Sequence, residues 1–144
     1  MTGTAVAITE VPDPIFIEKI LGDGIAIVPT EGKVVSPVDG TVSKVAETGH
    51  IYAVTSDNGV EVVIHVGLET VALNGKCFQI HVKEGDKVKA GDLLADVDLE
   101  FIKETGRNSI TPIVIGSSLE GKELVCEEGE VQAGKTVIME IKQK

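Results

Sequence analysis

A chain of 144 residues, 42% hydrophobic and 25% charged, has the size and composition of one globular domain with a real core, expected over residues 1–144. Its formal net charge of -10 argues against nucleic acid and anionic membranes as partners and favours a basic protein surface. Sixteen glycines, 3% aromatics and abundant Val and Ile favour short strands and tight turns over helices.

Residues 3–9 (GTAVAIT) read as a first strand. Val11 to Glu18 (VPDPIFIE) follows, where Pro12 and Pro14 prevent regular structure and the apolar Ile15, Phe16 and Ile17 are expected to tuck onto the core. Gly22-Asp23-Gly24 turns the chain into a strand at Ile25–Val28, and Ser36-Pro37-Val38-Asp39-Gly40 turns it into another at Thr41–Ala46.

The stretch from Glu47 to Val71 reads as a hairpin with a histidine on each arm. Val60, Val62, Ile64 and Val66 alternate with Glu61, Val63 and His65, which puts His65 on the face opposite the core, the wetter one. The turn lies in Ser56-Asp57-Asn58-Gly59, a sequence suited to positive backbone φ. If Asp57-Asn58 are its central pair, His50 faces His65. If Asn58-Gly59 are, Tyr52 faces His65 and His50 lies diagonal to it. Both registers bring the two histidines to one face, about 5 to 8 Å apart between Cα or Cβ atoms, together with Tyr52, Val54 and Val63.

Further strands are expected at Phe78–Val82, Leu93–Val97 and Thr111–Ile115, and one short helix at Leu99–Thr105, ending near Gly106. The run Glu84-Gly85 to Gly91 is echoed by Glu128-Gly129 to Gly134, each reading E-G, then V-x-A-G, then a strand. This is a weak internal repeat that suggests two related β units packed together. The expected class is all-β: an antiparallel β-sandwich or partly closed barrel with an internal β repeat and at most short helices. Cys77 and Cys126 lie far apart without metal-type spacing, and no leader or bilayer-length apolar run is visible, so a cytoplasmic chain without direct membrane insertion is expected.

Two facing histidines are the feature that asks for chemistry. One can be a nucleophile for a phosphoryl group while the other donates a hydrogen bond to it; the pair can act as acid and base; or it can hold a zinc ion, given at least one more ligand. Nucleophilic use requires a neutral His65 whose non-attacking nitrogen keeps its proton against an acceptor such as a backbone carbonyl. His50 and the hydroxyl of Thr48, two residues before it, are the candidate donors around the transferred group. No Walker-type loop, kinase signature, Gly-x-Ser-x-Gly or Cys/His signature is present, so direct use of ATP and hydrolase chemistry are not supported. His81, near a strand end with no partner in view, is given a structural or surface role.

The segments VPDPIFIEKILGDGIAIVPT, SPVDGTV, ETGH, GVEVVIHVGLETVALNGKCF, VKEGDKVKAGDLLADVDL and SITPIVI, in that order, resemble the glucose-type IIA component of the bacterial sugar phosphotransferase system over nearly the whole chain. The resemblance implies a β-sandwich phosphocarrier working without a cofactor. By it, His65 in IHVG is the phosphorylated residue, His50 in ETGH supports transfer, and Thr48 belongs to the same hydrogen-bonding group. The implied donor is the phosphorylated histidine carrier HPr, and the implied acceptor is a cysteine of the IIB domain of a sugar permease. The family docks these partners on a shallow apolar surface ringed by acids. Ile15, Ile20, Val63 and Val71 match its apolar positions, and Asp13 and Glu69 its acidic ones, which a basic rim on HPr would complement.

Regulatory proteins are a further class of partner for which the sequence offers no residues. Val66 stands where the family often has Phe, Cys77 where it often has Gly, and the chain begins where relatives have a longer first strand or a tail, so a membrane-contacting tail is not expected. A biotinyl or lipoyl carrier would need a hairpin lysine motif after one of the repeats, and a metallopeptidase a His-x-His pair; neither is present. A zinc-binding regulatory module using His50 and His65, with a carboxylate lent by a partner, is the alternative reading.

Overall fold

The computed structural model describes residues 3–13, 24–57, 59–68, 78–106 and 108–115, and the backbone of strands 122–126, 129–131 and 139–143. In chain order the strands are β1 (Gly3–Ala7), β2 (Gly24–Pro29), β3 (Lys33–Val35), β4 (Gly40–Val45), β5 (Ile51–Ser56), β6 (Glu61–His65), β7 (Phe78–Ile80), β8 (Lys87–Val88) and β9 (Leu93–Val97). A short helix, α1 (Leu99–Glu104), then precedes β10 (Thr111–Ile115), β11 (Lys122–Cys126), β12 (Gly129–Val131) and β13 (Met139–Gln143). Every pairing among them is antiparallel.

Eight strands form one sheet in the order β12-β1-β2-β10-β6-β5-β4-β8, three form a second as β3-β9-β7, and β11 pairs with β13. The sequence pattern explains the layering. Ile25 and Ile27 on β2, Val62 and Ile64 on β6, and Ile113 and Ile115 on β10 alternate onto one face, where they meet Val34, Leu94, Ala95 and Val97 of the three-stranded sheet and Ile102 of α1. Each such Val, Leu or Ile side chain, when fully buried, contributes about 1.5 to 3 kcal/mol of transfer free energy. The result is a sandwich of two antiparallel sheets. It does not close into a barrel among the described residues, because β12 and β8 end the large sheet at opposite edges.

The two copies of the repeat sit at those two edges. Lys87-Val88 of the first copy pairs with β4, and Glu130-Val131 of the second lies in β12, paired with β1. The strands after the copies, β9 and β13, belong to the two smaller sheets.

The reverse face of the large sheet is less open than the sequence suggests. Ala26, Val114 and the half-buried Val63 point there and pack with Ile8, Val11, Leu68 and Ile110 into a second cluster. Ile8 lies in a short 3-10 turn, Ile8–Glu10, that ends the first strand earlier than residues 3–9 imply. Val11, at the start of the proline-interrupted stretch, is fully buried, while Ile15, Phe16 and Ile17, the residues expected to tuck onto the core, lie outside the described residues.

Several details of the expected elements change, among them the unforeseen short strands β8, β11 and β12. β3 was not foreseen, since KVV between turn residues is too short to show a period. The β5–β6 register falls between the two considered: Ile51 faces His65 and Tyr52 faces Ile64. Ser56 still pairs with Val60, its N–H donating to the Val60 carbonyl at 2.8 Å, so the connection takes in Asp57, Asn58 and Gly59 instead of a two-residue turn. Tyr52 and Val54 therefore lie on the core face, both fully buried, and do not share the histidine face.

The helix is where it was expected. Asp98 caps it by accepting a 3.0 Å hydrogen bond from the Phe101 N–H, Glu100 stands in its first turn and Lys103 in its last. Asp98→Ala should lower stability by about 1 kcal/mol, measured by urea unfolding; an unchanged midpoint would show that packing of Ile102 alone holds α1. Among the described residues no helix is long and apolar enough to cross a membrane.

Candidate functional site

His65 ends β6, the strand between β5 and β10, and is half-buried on the reverse face beside Val63. Val66 returns to the main core, fully buried, and Gly67 adopts a left-handed backbone with φ of 72°. That conformation, open to glycine without a Cβ penalty, turns the Gly67 carbonyl back onto the preceding imidazole. His65 Nδ1 lies 2.7 Å from this oxygen. A carbonyl can only accept, so Nδ1 carries the proton and Nε2 of the neutral ring carries the lone pair. The acceptor demanded for a nucleophilic histidine thus exists, and the residue supplying it, Gly67, was not singled out from sequence. A glycine two places after a strand histidine was the available signal.

His50 reaches the same place by a different route from the one the hairpin predicted. With Ile51 facing His65, regular alternation would send residue 50 to the Val66 side. Instead the chain enters β5 through a tight loop. The Ala46 N–H donates to the Ile51 carbonyl at 3.0 Å and the Gly49 N–H to the Ala46 carbonyl at 2.8 Å, with Gly49 at φ 74°. The His50 carbonyl accepts from the Val66 N–H at 2.8 Å, which ties the loop to the end of β6. The two imidazoles end 5.5 Å apart between ring centres and nearly perpendicular, at 80°. The expected closeness is present, and a loop produces it.

Thr48 hydrogen-bonds to His50 Nδ1 through its hydroxyl. It was expected as a donor around a transferred group, and it is placed to orient the second imidazole. Asp13 is half-buried at the end of the described N-terminal segment, its carboxylate near enough to favour a positive charge on His65. Ile15, Ile20, Glu69 and Val71, the other expected surface positions, lie outside the described residues. His81 does have a partner: its Nε2 is 2.8 Å from Asp96 Oδ2, with Lys33 Nζ 3.5 Å from the other oxygen of that carboxylate, a surface cluster on the three-stranded sheet.

Burial is the largest influence on both site histidines and lowers each below the ordinary value of 6.5. For His65 the bond to Gly67 and the Asp13 charge oppose it without cancelling it. For His50 the positive charges of His65 and Lys44 add to it. Both rings are therefore neutral at neutral pH. A histidine held below its unfolded value binds fewer protons folded than unfolded, so its stabilising contribution is complete above pH 6.5 and is lost as pH falls through the folded value. The neutral His65 ring should likewise persist below pH 6.5. The rate of any reaction that uses the neutral His65 ring should, plotted against pH, have its acid limb below 6.5, and a limb at or above that value would contradict the assigned environment.

The pair can bind a metal only with help. Two imidazoles leave a tetrahedral ion short of ligands, and among the described residues no group of three His, Cys, Asp or Glu side chains gathers to hold one.

Comparison with known proteins gives a consistent set of relatives. Residues 1–120 match the family model described as phosphoenolpyruvate-dependent sugar phosphotransferase system, EIIA 1. The glucose-specific EIIA component of Bacillus cereus is 46% identical over 145 aligned positions, covering 100% of this chain and 88% of that protein. The N-acetylglucosamine-specific EIICBA component of Klebsiella pneumoniae is 44% identical over 100% of this chain, which spans 22% of that longer protein. Among solved structures, the glucose permease IIA from Mycoplasma capricolum superposes with a TM-score of 0.89 at 35% identity, covering 96% of this chain and 90% of that one.

Proposed function

The chain belongs to the EIIA 1 family of the phosphoenolpyruvate-dependent sugar phosphotransferase system, and from that premise we propose that it is a phosphocarrier charged on His65. The observation that carries this reading is the 2.7 Å bond from His65 Nδ1–H to the Gly67 carbonyl, which leaves Nε2 as the lone-pair nitrogen of a neutral ring. The donor is phosphorylated HPr. Nε2 attacks its phosphorus in line, the new N–P bond forming as the bond to the donor's imidazole breaks.

His50 does the second job. With the Thr48 hydroxyl donating to Nδ1, the His50 proton sits on Nε2, and that N–H donates to an oxygen of the phosphoryl group on its neighbour. Because His50 is neutral, it stabilises the spread charge of the transfer without holding the phosphoryl group in a tight ion pair. The group then passes to a thiolate of a permease IIB domain: an S–P bond forms, the N–P bond breaks, and His65 is neutral again. The occurrence of this unit within a longer EIICBA chain supports such an acceptor. In this reading Asp13 and Val63 beside His65 belong to the docking surface for both partners, to which the family resemblance adds Ile15, Ile20, Glu69 and Val71, and its acids suit a basic rim.

Intact-protein mass spectrometry tests the reading directly. After incubation with phosphoenolpyruvate, enzyme I and HPr, the protein should gain one acid-labile phosphate. No gain would overturn the phosphocarrier assignment and direct attention to zinc titration of His50 and His65.

A further inference from the structure

We propose that Phe78 is a positioning residue for His50, acting through Gly49: its ring occupies the space any side chain at residue 49 would take, and so fixes the loop that presents the second imidazole to His65. This rests on the reading of His50 as the partner of His65.

The contact is close and specific. A Cβ built on Gly49 would stand 2.8 Å from Phe78 Cβ, 3.1 Å from Cγ and 3.3 Å from Cδ2. Gly49 is itself buried, and its φ of 74° disfavours any other residue. The two backbone bonds that close the loop, from Ala46 to Ile51 and from Gly49 to Ala46, hold it shut. They do not by themselves decide how it leans against the fold. Phe78 supplies that decision from another sheet: it begins β7, faces Val97 of β9 and packs against the main core.

The two imidazoles are therefore supported separately. His65 is held by a central strand of the large sheet and by Gly67. His50 is held by a loop resting on an aromatic ring of the three-stranded sheet. Trimming that ring should disturb His50 and leave His65 as it is. A general loosening of the fold would disturb both.

Side-chain nitrogen NMR of the histidines, followed through a pH titration, reads this without reference to transfer. In Phe78→Ala the His50 titration should rise toward 6.5 and its tautomer preference weaken, while His65 keeps its proton on Nδ1. Phe78→Leu, which retains the Cβ and Cγ nearest to Gly49, should titrate like the wild type. In the transfer assay Phe78→Ala should charge normally and pass its phosphoryl group on roughly 10- to 100-fold more slowly. Should Phe78→Ala not fold, Gly49→Ala presses on the same contact from the loop side, and the same selective change at His50 is expected there. A His50 titration unchanged in these variants, or a His65 tautomer lost along with it, would overturn the inference. A displaced His50 with undiminished onward transfer would leave the positioning intact and remove instead the transfer role assigned to His50.

Discussion

His65→Ala should take up no phosphate from phosphorylated HPr. The variant removes the one nitrogen the fold prepares for attack, and the loss should be at least about 10³-fold, the scale seen when a covalent nucleophile is deleted. His50 does not stand in for it. Its Nδ1 is engaged by Thr48, and it sits on a loop instead of the strand end that fixes His65. The measurement is radiolabel or mass gain after incubation with the phosphate donor system, with circular dichroism showing that the sandwich has formed. The substitution removes a half-buried polar side chain at a strand end, so folding should survive. A folded His65→Ala that still gains an acid-labile phosphate would place the covalent site elsewhere and end the assignment.

His50→Gln should separate the two halves of the reaction. Glutamine retains a donor of similar reach but loses the rigid ring that Thr48 orients, so charging of His65 should continue within a few-fold of the wild type. Onward transfer to the IIB cysteine should fall by roughly 10²- to 10³-fold, the usual effect of losing one preorganised donor to a developing charge. Single-turnover assays starting from the charged protein distinguish these steps. A His50→Gln protein that cannot be charged at all would sink this division of labour, since it would make His50 necessary for the first transfer as well.

Some of this was legible in the residues. The alternation from Val60 to Val66, broken only by Val63, put Val62, Ile64 and Val66 in the core and His65 across from them, as found. The helix could be located from the segment Leu99–Thr105 and the Gly106 that follows its end, while Asp98, which caps its start, was a signal left unused. The register of the hairpin could not. Asp57-Asn58-Gly59 contains two plausible two-residue turns, and the odd-length connection that forms depends on Ser56 bonding twice with Val60, once through its side chain. Tyr52 and Val54 consequently changed faces.

The approach of His50 was expected for a reason that turned out to be wrong. Strand pairing was to supply it, and a left-handed Gly49 backed by Phe78 does so, a contact between segments that local pattern does not encode. The covering of the reverse face by Ile8, Val11, Leu68 and Ile110 was hidden in the same way. The repeat was visible, but its placement at opposite edges of one sheet required knowing how every strand between them pairs.

β10 is buried at all five of its positions and lies between β2 and β6. A segment with no solvent-facing residue and a ladder on either side is released only when the whole molecule opens, so its amide protons should be among the last to exchange with deuterated water. β6 shares that ladder, with Ile113, Val114 and Ile115 facing Ile64, Val63 and Val62. The nitrogen proposed to accept the phosphoryl group is thus mounted at the end of a strand in the part of the molecule expected to open last, while its neighbour rides on a short loop outside that ladder. A partner that deforms this surface on docking should therefore shift His50 more readily than His65, changing the geometry between the two rings while the strand-end imidazole stays seated.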